Sequence, residues 1–559
     1  MSKGSQKKQK SRPPKAVFRQ DWSIGQAAAE ADGQLLRECF VDNGLAGQLL
    51  DTEANSSIVL GRVGAGKSAL LRHIEDTQQR VVRIDPSLFS IKYICNSSAL
   101  EFVSELGVKL DPVFQALWKH VLCVEYIRLR FNIRTQADAK KIWAQITNFF
   151  TMNDAKRVAY EYFKEFGGVE FWQTTEVRLK EIVTKLEREL TSQLNISHEL
   201  IKAGAAGARK LSEAQRLEVV NNAKTFINNI HMAALQNVVT ALAEMDNANH
   251  GAKYFIVIDD LDTDWANTET RHRLIRALIE TIRRFRPIRQ LKIIVAMRTD
   301  LLESVVESTR DAGLQIEKLE DFFLRVAWTE GELREVVEKR INHALKHRYT
   351  RQSLSFSDVF PKEVRQKSTL DYMLERTLRR PRDVILFVNE CFKAASGRTE
   401  MSPNLVQEAY RTYSANRRVS LLEEWHDVYP DLDLHLELIS GLRARTKVGD
   451  LPLAAINHQT LKYVSRDKSK DEITRSFINL ADKQGDSASV YQALSALRPL
   501  LSALFKVGAI GFIRPPAGAV IFAGNQPSGF SESSIDLEAV IVIHPMLHAA
   551  LGINTAVAA

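Results

Sequence analysis

One stretch, from Ser57 to Glu75, constrains this chain more than any other part of its 559 residues. It contains GRVGAGKS, residues 61–68, in which two glycines separated by four residues precede a lysine and a serine, the spacing of a phosphate-binding loop. An apolar run leads into the loop and a helix-like run, Ala69 to Ile74, follows it. Glycines let backbone N–H groups turn toward phosphate oxygens, and the helix directs its positive end at the same anion. The pattern predicts a nucleotide site between a strand and a helix.

The lysine and the serine of this loop are predicted to have different roles. Lys67 would reach the β- and γ-phosphates of ATP, and the Ser68 hydroxyl would ligate Mg²⁺. ATP is favoured over GTP because no Asn/Thr-Lys-x-Asp motif for reading guanine follows the acidic strand described next. The predicted nucleotide-binding residues are Gly61, Gly64, Ala65, Gly66, Lys67, Ser68 and Ala69.

A second signature lies at YFIVIDDLD, residues 254–262, where an apolar strand ends in acids. A nucleotide hydrolase needs one carboxylate for the magnesium shell and another group to orient or activate water. We assign Asp259 to Mg²⁺ and Asp260 to the hydrolytic base, with Asp262 as an alternative base or a helix cap. An aspartate at 260 is one methylene shorter than the glutamate more common there, which predicts slow or partner-dependent turnover.

Four arginines are candidates for sensing the γ-phosphate. Arg298 follows the predicted strand 291–297, and ligands of open α/β sheets bind at that edge. Arg382 lies at a helix start in LRRPRDVI, where guanidinium groups can face phosphate. The alternative interpretation of Arg298 and of Arg382 is that the side chain has a structural role or faces solvent. Arg310 and Arg325 are weaker candidates for fingers that enter a neighbouring site.

Periodicity divides the chain into domains. Helical spacing dominates from Ser98 to Met245, and an apolar helix at 490–507 is followed by a predicted hairpin, as in a winged helix. We therefore expect an α/β fold: a P-loop NTPase parallel sheet with a large all-helical insertion, a helical lid and a C-terminal winged-helix-like domain. The predicted boundaries are a basic disordered tail at 1–20, the ATPase core at 21–97 and 246–328, the insertion at 98–245, the lid at 329–420 and the C-terminal domain at 421–559.

Local patterns predict several elements. Gln26 to Asn43 reads as one helix, and Phe322 to Trp328 as the last strand of the core. Ser98 with Glu101, and Thr329 with Glu332, have the spacing of capping boxes. A near-heptad apolar seam in the insertion fits either packing within the chain or a coiled coil between chains. Its residues are Leu179, Val183, Leu186 and Leu190.

Composition limits the function classes. The net charge is +8, but seven cations precede the first acid, Asp21, so the basicity belongs mostly to a tail. The four cysteines lack the spacing of a zinc site or a disulfide framework. There is neither a secretory signal nor an apolar run long enough to cross a membrane. We expect a cytoplasmic protein without a membrane partner.

With both nucleotide motifs placed, the chain resembles the additional-strand P-loop ATPases. Within that class, IVIDDLD and RRPRDVI are similar to the branch that contains AAA+ initiators and the STAND and KAP-type NTPases. Further segments, RIDPSLFSIKYICNSSALEF, LWKHVLCVEYIRLRF, RVAWTEGEL and IHPMLHAALG, resemble a little-described bacterial P-loop ATPase family associated with anti-phage and mobile-element loci. Asp260 and Arg298 depart from the usual glutamate and polar amide.

The resemblance implies a regulatory ATPase that uses ATP and Mg²⁺ as a switch or assembly platform, as a homo-oligomer with a protein effector in anti-phage defence. The alternative is a DNA-binding initiator, loader or transposition-type ATPase, with DNA held by the basic tail or the winged helix. A small-molecule kinase is disfavoured, because the helical insertion exceeds what a substrate lid needs. A scaffold that binds ATP without turnover is a further alternative.

Overall fold

A computed structural model describes residues 17–26, 28–86, 97–133, 138, 184, 187–229, 232–247, 251–263, 268–309, 316–346, 353–466, 471–484, 490–513, 518–523 and 532–555. They form two compact units. One runs from Asp42 to Ala327, and the other combines the chain up to Val41 with the chain from Trp328 onward.

The strands are β1 (Ile58–Gly61), β2 (Val81–Ile84), β3 (Tyr254–Ile258), β4 (Leu291–Arg298), β5 (Phe323–Arg325), β6 (Glu363–Val364), β7 (Lys367–Ser368), β8 (Arg445–Lys447), β9 (Ile510–Ile513), β10 (Val520–Phe522) and β11 (Val540–Ile543). The helices are α1 (Gly33–Cys39), α2 (Leu45–Leu50), α3 (Lys67–Thr77), α4 (Ser98–Glu105), α5 (Asp111–Arg130), α6 (His198–Lys202), α7 (Gly204–Ala208), α8 (Glu213–Asn229), α9 (Met232–Asn247), α10 (Thr268–Ile282), α11 (Thr299–Ser308), α12 (Glu330–Leu345), α13 (Phe356–Val359), α14 (Thr369–Leu374), α15 (Pro381–Ala394), α16 (Pro403–Glu424), α17 (Leu432–Glu437), α18 (Leu453–Val464), α19 (Glu472–Gln484) and α20 (Val490–Val507).

A five-stranded, all-parallel sheet organises the first unit, in the order β2-β3-β4-β1-β5. Every residue of β1 and β3 is buried, as is typical of parallel strands covered on both faces. The expected mixed α/β architecture with a parallel sheet is confirmed. Because β4 lies between β1 and β3, the loops after these three strands open at one edge.

The sheet's last strand is shorter than the sequence predicted. β5 ends at Arg325, and the pairing finishes where the Val326 N–H donates to the Leu60 carbonyl at 2.7 Å. Trp328, which the prediction placed in the strand, packs instead against the core of the second unit. Its indole therefore contributes to that core rather than to the sheet.

Helices form much of the rest of the first unit. α5 is buried along most of its length, and the Trp118 indole donates to the Leu274 carbonyl on α10 at 2.9 Å. The cap of α4 differs from the prediction: Ser97, not Ser98, is the N-cap, and its hydroxyl accepts from the Leu100 N–H at 3.1 Å. Of the predicted heptad seam, Leu190 is buried and the other members lie outside the described residues.

The second unit begins with residues expected in the sheet core or the tail. Phe18, Trp22 and Ile24 are buried in a cluster with helices α12, α15 and α16, and Phe18 and Trp22 contact the Phe392 ring. The helix predicted at Gln26–Asn43 is confined to α1, because the Asp32 carboxylate accepts from the Gln26 N–H at 2.8 Å and holds the preceding chain in a turn.

Later parts of the second unit follow the sequence more closely. Thr329 and Glu332 form the reciprocal capping box of α12, as predicted. The helix at 490–507 is confirmed, and β9 and β10 pair antiparallel after it. These strands belong to an antiparallel sheet in the order β10-β9-β11-β8, in which β8 precedes helices α18 to α20 and the other three strands follow them.

Two expectations from composition concern the whole chain. The cysteines at 39, 123 and 391 are buried free thiols, and Cys95 lies outside the described residues. Among the described helices, none has both the length and the apolar character needed to cross a membrane.

Candidate functional site

The Gly61–Ser68 loop leaves the carboxyl end of β1 and requires its glycines. Gly64 and Gly66 have φ of +76° and +98°, a region that side chains strongly disfavour. A Cβ at Gly61 would lie 3.2 Å from the Ala65 Cβ and 3.3 Å from the Val326 Cβ. A close-wound loop of this kind brings backbone N–H groups to its inner side.

Lys67 begins α3 and folds back over the loop. Its Nζ donates to the carbonyl oxygens of Gly61 at 2.9 Å and Arg62 at 3.1 Å. Burial lowers the pKa of Lys67, while the charges of Asp262 and Asp259 act to raise it. No side chain caps α3 at Gly66, so the first N–H groups of the helix lack a side-chain acceptor there. The loop and helix start thus offer a cation and backbone donors to an anion.

The tip of β3 meets the start of α3 at Asp259. This side chain is almost fully buried, and it lies close enough to Ser68 for the two side chains to interact. Burial is the main cause that raises the pKa of Asp259, and the neighbouring charge of Asp260 adds to it. The hydroxyl and the carboxylate predicted to share a magnesium ion are therefore neighbours.

Arg83, on β2, joins the acids of this site and was not predicted from the sequence. One terminal nitrogen lies 3.0 Å from Asp259 and 3.2 Å from Asp260, and the other lies 3.2 Å from Glu75 on α3. The available signal was an arginine inside the apolar strand VVRI, at the edge where the acids emerge. Arg83 neutralises two adjacent carboxylates that would otherwise repel each other.

Asp260 has an unusual backbone. Its φ is +59°, uncommon for a residue with a side chain, and its carbonyl accepts from the Thr263 hydroxyl at 2.9 Å. The side chain is 43% exposed, in contrast to Asp259, so water can reach it. Partial burial raises the pKa of Asp260, while the Arg83 charge opposes that rise.

Arg298 pairs with Gly61 in the β-ladder, which places it beside the loop. Its guanidinium donates to both Asp300 oxygens, at 3.1 and 2.6 Å, and a further nitrogen lies 3.6 Å from Asp262. Asp300 was not predicted, although the spacing in RTD indicated it. A bidentate pair fixes the guanidinium plane. Contact with a γ-phosphate would require Arg298 to exchange at least one of these partners.

The donor set fits a magnesium nucleotide better than a metal held by protein alone. Among the described residues, no group of three or more His, Cys, Asp or Glu side chains forms a metal site. Mg²⁺ is usually held by one or two protein oxygens together with substrate phosphates and water. Ser68 and Asp259 supply such a pair, and Lys67 supplies the cation for the phosphates.

The predicted second sensor lies in the other unit, where its two arginines differ. Arg380 is buried and donates to Asp383 at 3.0 Å and to Glu424 at 3.1 Å. Arg417 adds a second cation, 3.6 Å from Asp383. Arg380 therefore belongs to a buried ionic network. Arg382 is half-buried, and burial followed by the Arg380 charge lowers its pKa.

Of the two arginines predicted as fingers, the structure describes one. Arg325 is 43% exposed and pairs with Glu320 at 2.7 Å. Arg310 lies outside the described residues.

Two comparisons with known proteins bear on this chain. Residues 331–422 match the family described as the FunZ-associated C-terminal helical domain. The putative transposon gamma-delta 80.3 kDa protein of Escherichia coli (strain K12) is 21% identical over 548 residues, covering 95% of this chain and 67% of that protein. Together the matches suggest a mobile-element-associated family, the coarser part of the predicted resemblance. Neither match names a P-loop ATPase.

Proposed function

We propose that this chain binds ATP with Mg²⁺ at the Gly61–Ser68 loop and hydrolyses it as a regulatory switch. The observation that carries the proposal is the proximity of Ser68 to Asp259, which brings together the two predicted motifs from distant parts of the sequence. The strand order supports it, because β4 lies between the strands bearing those motifs, as the term additional-strand ATPase implies.

Each residue has a defined task in this proposal. The Lys67 ammonium donates to the carbonyls of Gly61 and Arg62 in the structure, and these bonds hold it over the loop. When ATP binds, the ammonium would donate to phosphate oxygens instead. Bound Mg²⁺, held by Ser68 and Asp259, would neutralise phosphate charge. Asp260 orients the attacking water and accepts its proton, since its side chain is exposed and close to the magnesium ligand.

The first candidate for the biological role is a switch in bacterial anti-phage defence. Whether ATP is bound would set the arrangement or assembly of the helical parts, and a partner protein would recognise that arrangement. A second candidate is an ATPase that handles DNA in a mobile element, favoured by the name of the Escherichia coli relative. For both candidate functions, we propose that the chain from Arg445 onward is a winged-helix-like module. Its order of strand, helices and hairpin supports this proposal.

The C-terminal module favours a protein partner over DNA. Helix α20, which follows α18 and α19 as a recognition helix would, is mostly buried. Its Arg498 donates to the Ile535 carbonyl at 2.8 Å. Few cations therefore remain on this helix for phosphate contacts.

The test is ATP binding and turnover by the purified full chain, with and without Mg²⁺ and with added duplex DNA. We expect wild type to bind ATP, Lys67→Ala to lose binding, and the exposed-lysine control Lys202→Ala to behave as wild type. Light scattering in the same samples reports assembly. Slow, DNA-independent turnover with nucleotide-dependent assembly supports the switch, and DNA-stimulated turnover supports the second candidate. Wild type without ATP binding, or Lys67→Ala that binds normally, would refute the proposal.

A further inference from the structure

A basic cavity lies in the first unit, at the edge of the sheet opposite to the Gly61–Ser68 loop. The short helical turn Arg283–Phe285 precedes the amino end of β4, and the turn Ile316–Phe322 precedes the amino end of β5. A strand of eight residues spans roughly 25 Å, so the cavity is well separated from the nucleotide site. Its volume is about 640 Å³.

The cavity is lined by four cations and one acid among the described residues. The cations are Arg283, Arg284, Arg286 and Lys318, and the acid is Glu280. Glu280 is already satisfied, because its two oxygens accept from Arg276 at 3.0 Å and from Gln115 at 2.6 Å. Within the described chain, none of the four lining cations forms an ion pair with a carboxylate. Among the described residues, the positive charge of this cavity is therefore not offset by an ion pair.

Two of the guanidinium groups lie over an aromatic ring. Arg283 and Arg286 both lie over the Phe322 ring, each with its guanidinium carbon 5.9 Å from the ring centre. Stacking on an aromatic face orients a guanidinium plane while leaving its N–H donors at the edge. Phe322 is 6% exposed, so the ring serves as a support and is not itself available for stacking by a base.

The positive surface continues beyond this cavity. Arg286 also lines an adjacent cavity of about 300 Å³, together with Arg289 and the Lys292 side chain. Lys292 is buried and occupied by the carbonyls of Asp51 and Ala54, at 2.8 and 2.7 Å. The exposed cations extend from the first cavity into the second through Arg286, and one acid, Glu53, also lines the second cavity. We call this set of cations the row; its members are Lys318, Arg283, Arg284, Arg286 and Arg289.

We propose that this row binds the phosphate groups of a nucleic-acid backbone. Arginine forks match phosphate oxygens, and a row of cations suits a ligand with repeated charges. Protein partners usually insert apolar or aromatic anchors, yet the two large apolar lining side chains, Leu319 and Phe322, are both buried. Contacts to phosphate position a nucleic acid without reading its sequence, so we expect binding that is largely independent of sequence. This site is separate from the proposed nucleotide site and does not depend on ATP hydrolysis.

The test measures binding of a labelled oligonucleotide, single-stranded and as a duplex, to the full chain over a salt series. The test variant is Arg283→Gln/Arg284→Gln/Arg286→Gln. The control, Lys210→Gln/Arg216→Gln/Lys224→Gln, removes the same charge from exposed positions in the same unit. All six side chains are exposed, and ATP binding and thermal unfolding report whether either variant perturbs the fold or the nucleotide site.

We expect the test variant to lose affinity by roughly tenfold or more, and the slope of log affinity against log salt to shrink by about two to three for a duplex. The control should retain the wild-type slope. Equal losses in both variants, or an unchanged slope in the test variant, would overturn the proposal. Equally tight binding of a polyglutamate peptide that depends on the same arginines would also overturn it, by assigning the row to acidic protein.

Discussion

The guanidinium of Arg83 lies 3.0 Å from the Asp259 carboxylate and joins a residue of β2 to the buried tip of β3. Asp259 also lies close to Ser68, and Asp260 lies 3.2 Å from the same arginine nitrogen. Two adjacent carboxylates at a strand end repel each other, and Arg83 offsets that repulsion when no metal is present. Bound Mg²⁺ would offset part of the same repulsion. Arg83 and the metal ion would therefore stabilise the same two carboxylates, Asp259 and Asp260.

Arg83→Gln should destabilise the nucleotide-free protein by about 1–2 kcal/mol near pH 7. The expected loss is below that of a fully buried pair because Arg83 is 29% exposed. The loss should shrink as pH falls and the acids become protonated, and added Mg²⁺ should recover part of it. Denaturant unfolding with and without Mg²⁺ measures both effects.

Arg80→Gln is the matched control for this change. Arg80 immediately precedes β2 and lies over the Tyr254 ring, 5.3 Å from its centre, without contact to the acids. Its replacement should show no Mg²⁺-dependent recovery. If Arg83→Gln unfolds as wild type does in metal-free buffer, the ion pairs contribute nothing measurable and the proposed compensation is wrong.

Asp260→Asn should retain ATP binding and lower turnover by roughly 10²- to 10⁴-fold, the usual contribution of a general base. Asp262→Asn is made beside it, because Asp262 is the alternative base and lies 3.6 Å from Arg298. Single-turnover hydrolysis separates binding from chemistry. Normal turnover by Asp260→Asn with loss in Asp262→Asn would transfer the base assignment to Asp262.

The sequence predicted the parts of this protein whose determinants are local. β1, β3 and β4 are apolar runs, and the loop after β1 is specified by its glycines and lysine. The same reasoning missed Arg83, because its role depends on which strands lie side by side. It also missed the local pair of Arg298 with Asp300, which the RTD spacing indicated. The strand order brings β2 next to β3, and no periodicity in the sequence reveals that order.

The amino-terminal segment shows the same limit. Apolar spacing favoured a long helix at Gln26–Asn43, but the Asp32 carboxylate binds Arg340 at 2.6 Å and fixes a turn there. Phe18 lies in the predicted basic tail and Trp22 in the predicted ATPase core, yet both fill a core formed by helices hundreds of positions later. Partners this distant cannot be assigned from one sequence.

Arg380 and Arg382 lie two positions apart and should respond differently to truncation. Arg380→Met should destabilise the protein by about 3–5 kcal/mol, because it leaves the fully buried Asp383 and the buried Glu424 without their closest cation. Arg382→Met should change stability by about 0.5 kcal/mol or less. If Arg382 is the second sensor, that variant lowers ATP turnover more than ATP affinity.

Asp383→Asn in the Arg380→Met background tests the cause. It removes the orphaned charge, so part of the lost stability should return, as measured by denaturant unfolding. Additive losses in the double variant would show that the ionic network is not the source. Turnover and affinity that both match wild type in Arg382→Met would assign this arginine to a structural role.

Lys119, on α5, gives a stability prediction with a defined pH window. The side chain is 1% exposed, and burial, aided by the Arg284 charge, lowers its pKa from 10.5 to about 8. Below pH 8 the lysine is charged in both the folded and the unfolded chain, so the cost of burying the charge is fully present. Between about 8 and 10.5 the unfolded chain holds more protons, and folding stability therefore rises with pH.

Lys119→Met should remove that contribution, stabilising the protein near pH 7 by up to about 3 kcal/mol and flattening its stability between pH 8 and 10. Lys292→Met is the matched control, since burial also lowers the pKa of Lys292 to about 8. Its ammonium donates to the Asp51 and Ala54 carbonyls, so its removal should flatten the pH profile without stabilising the fold. Denaturant unfolding across the pH range distinguishes the two, and a destabilised Lys119→Met at pH 7 would contradict the expected cost of burying the Lys119 charge.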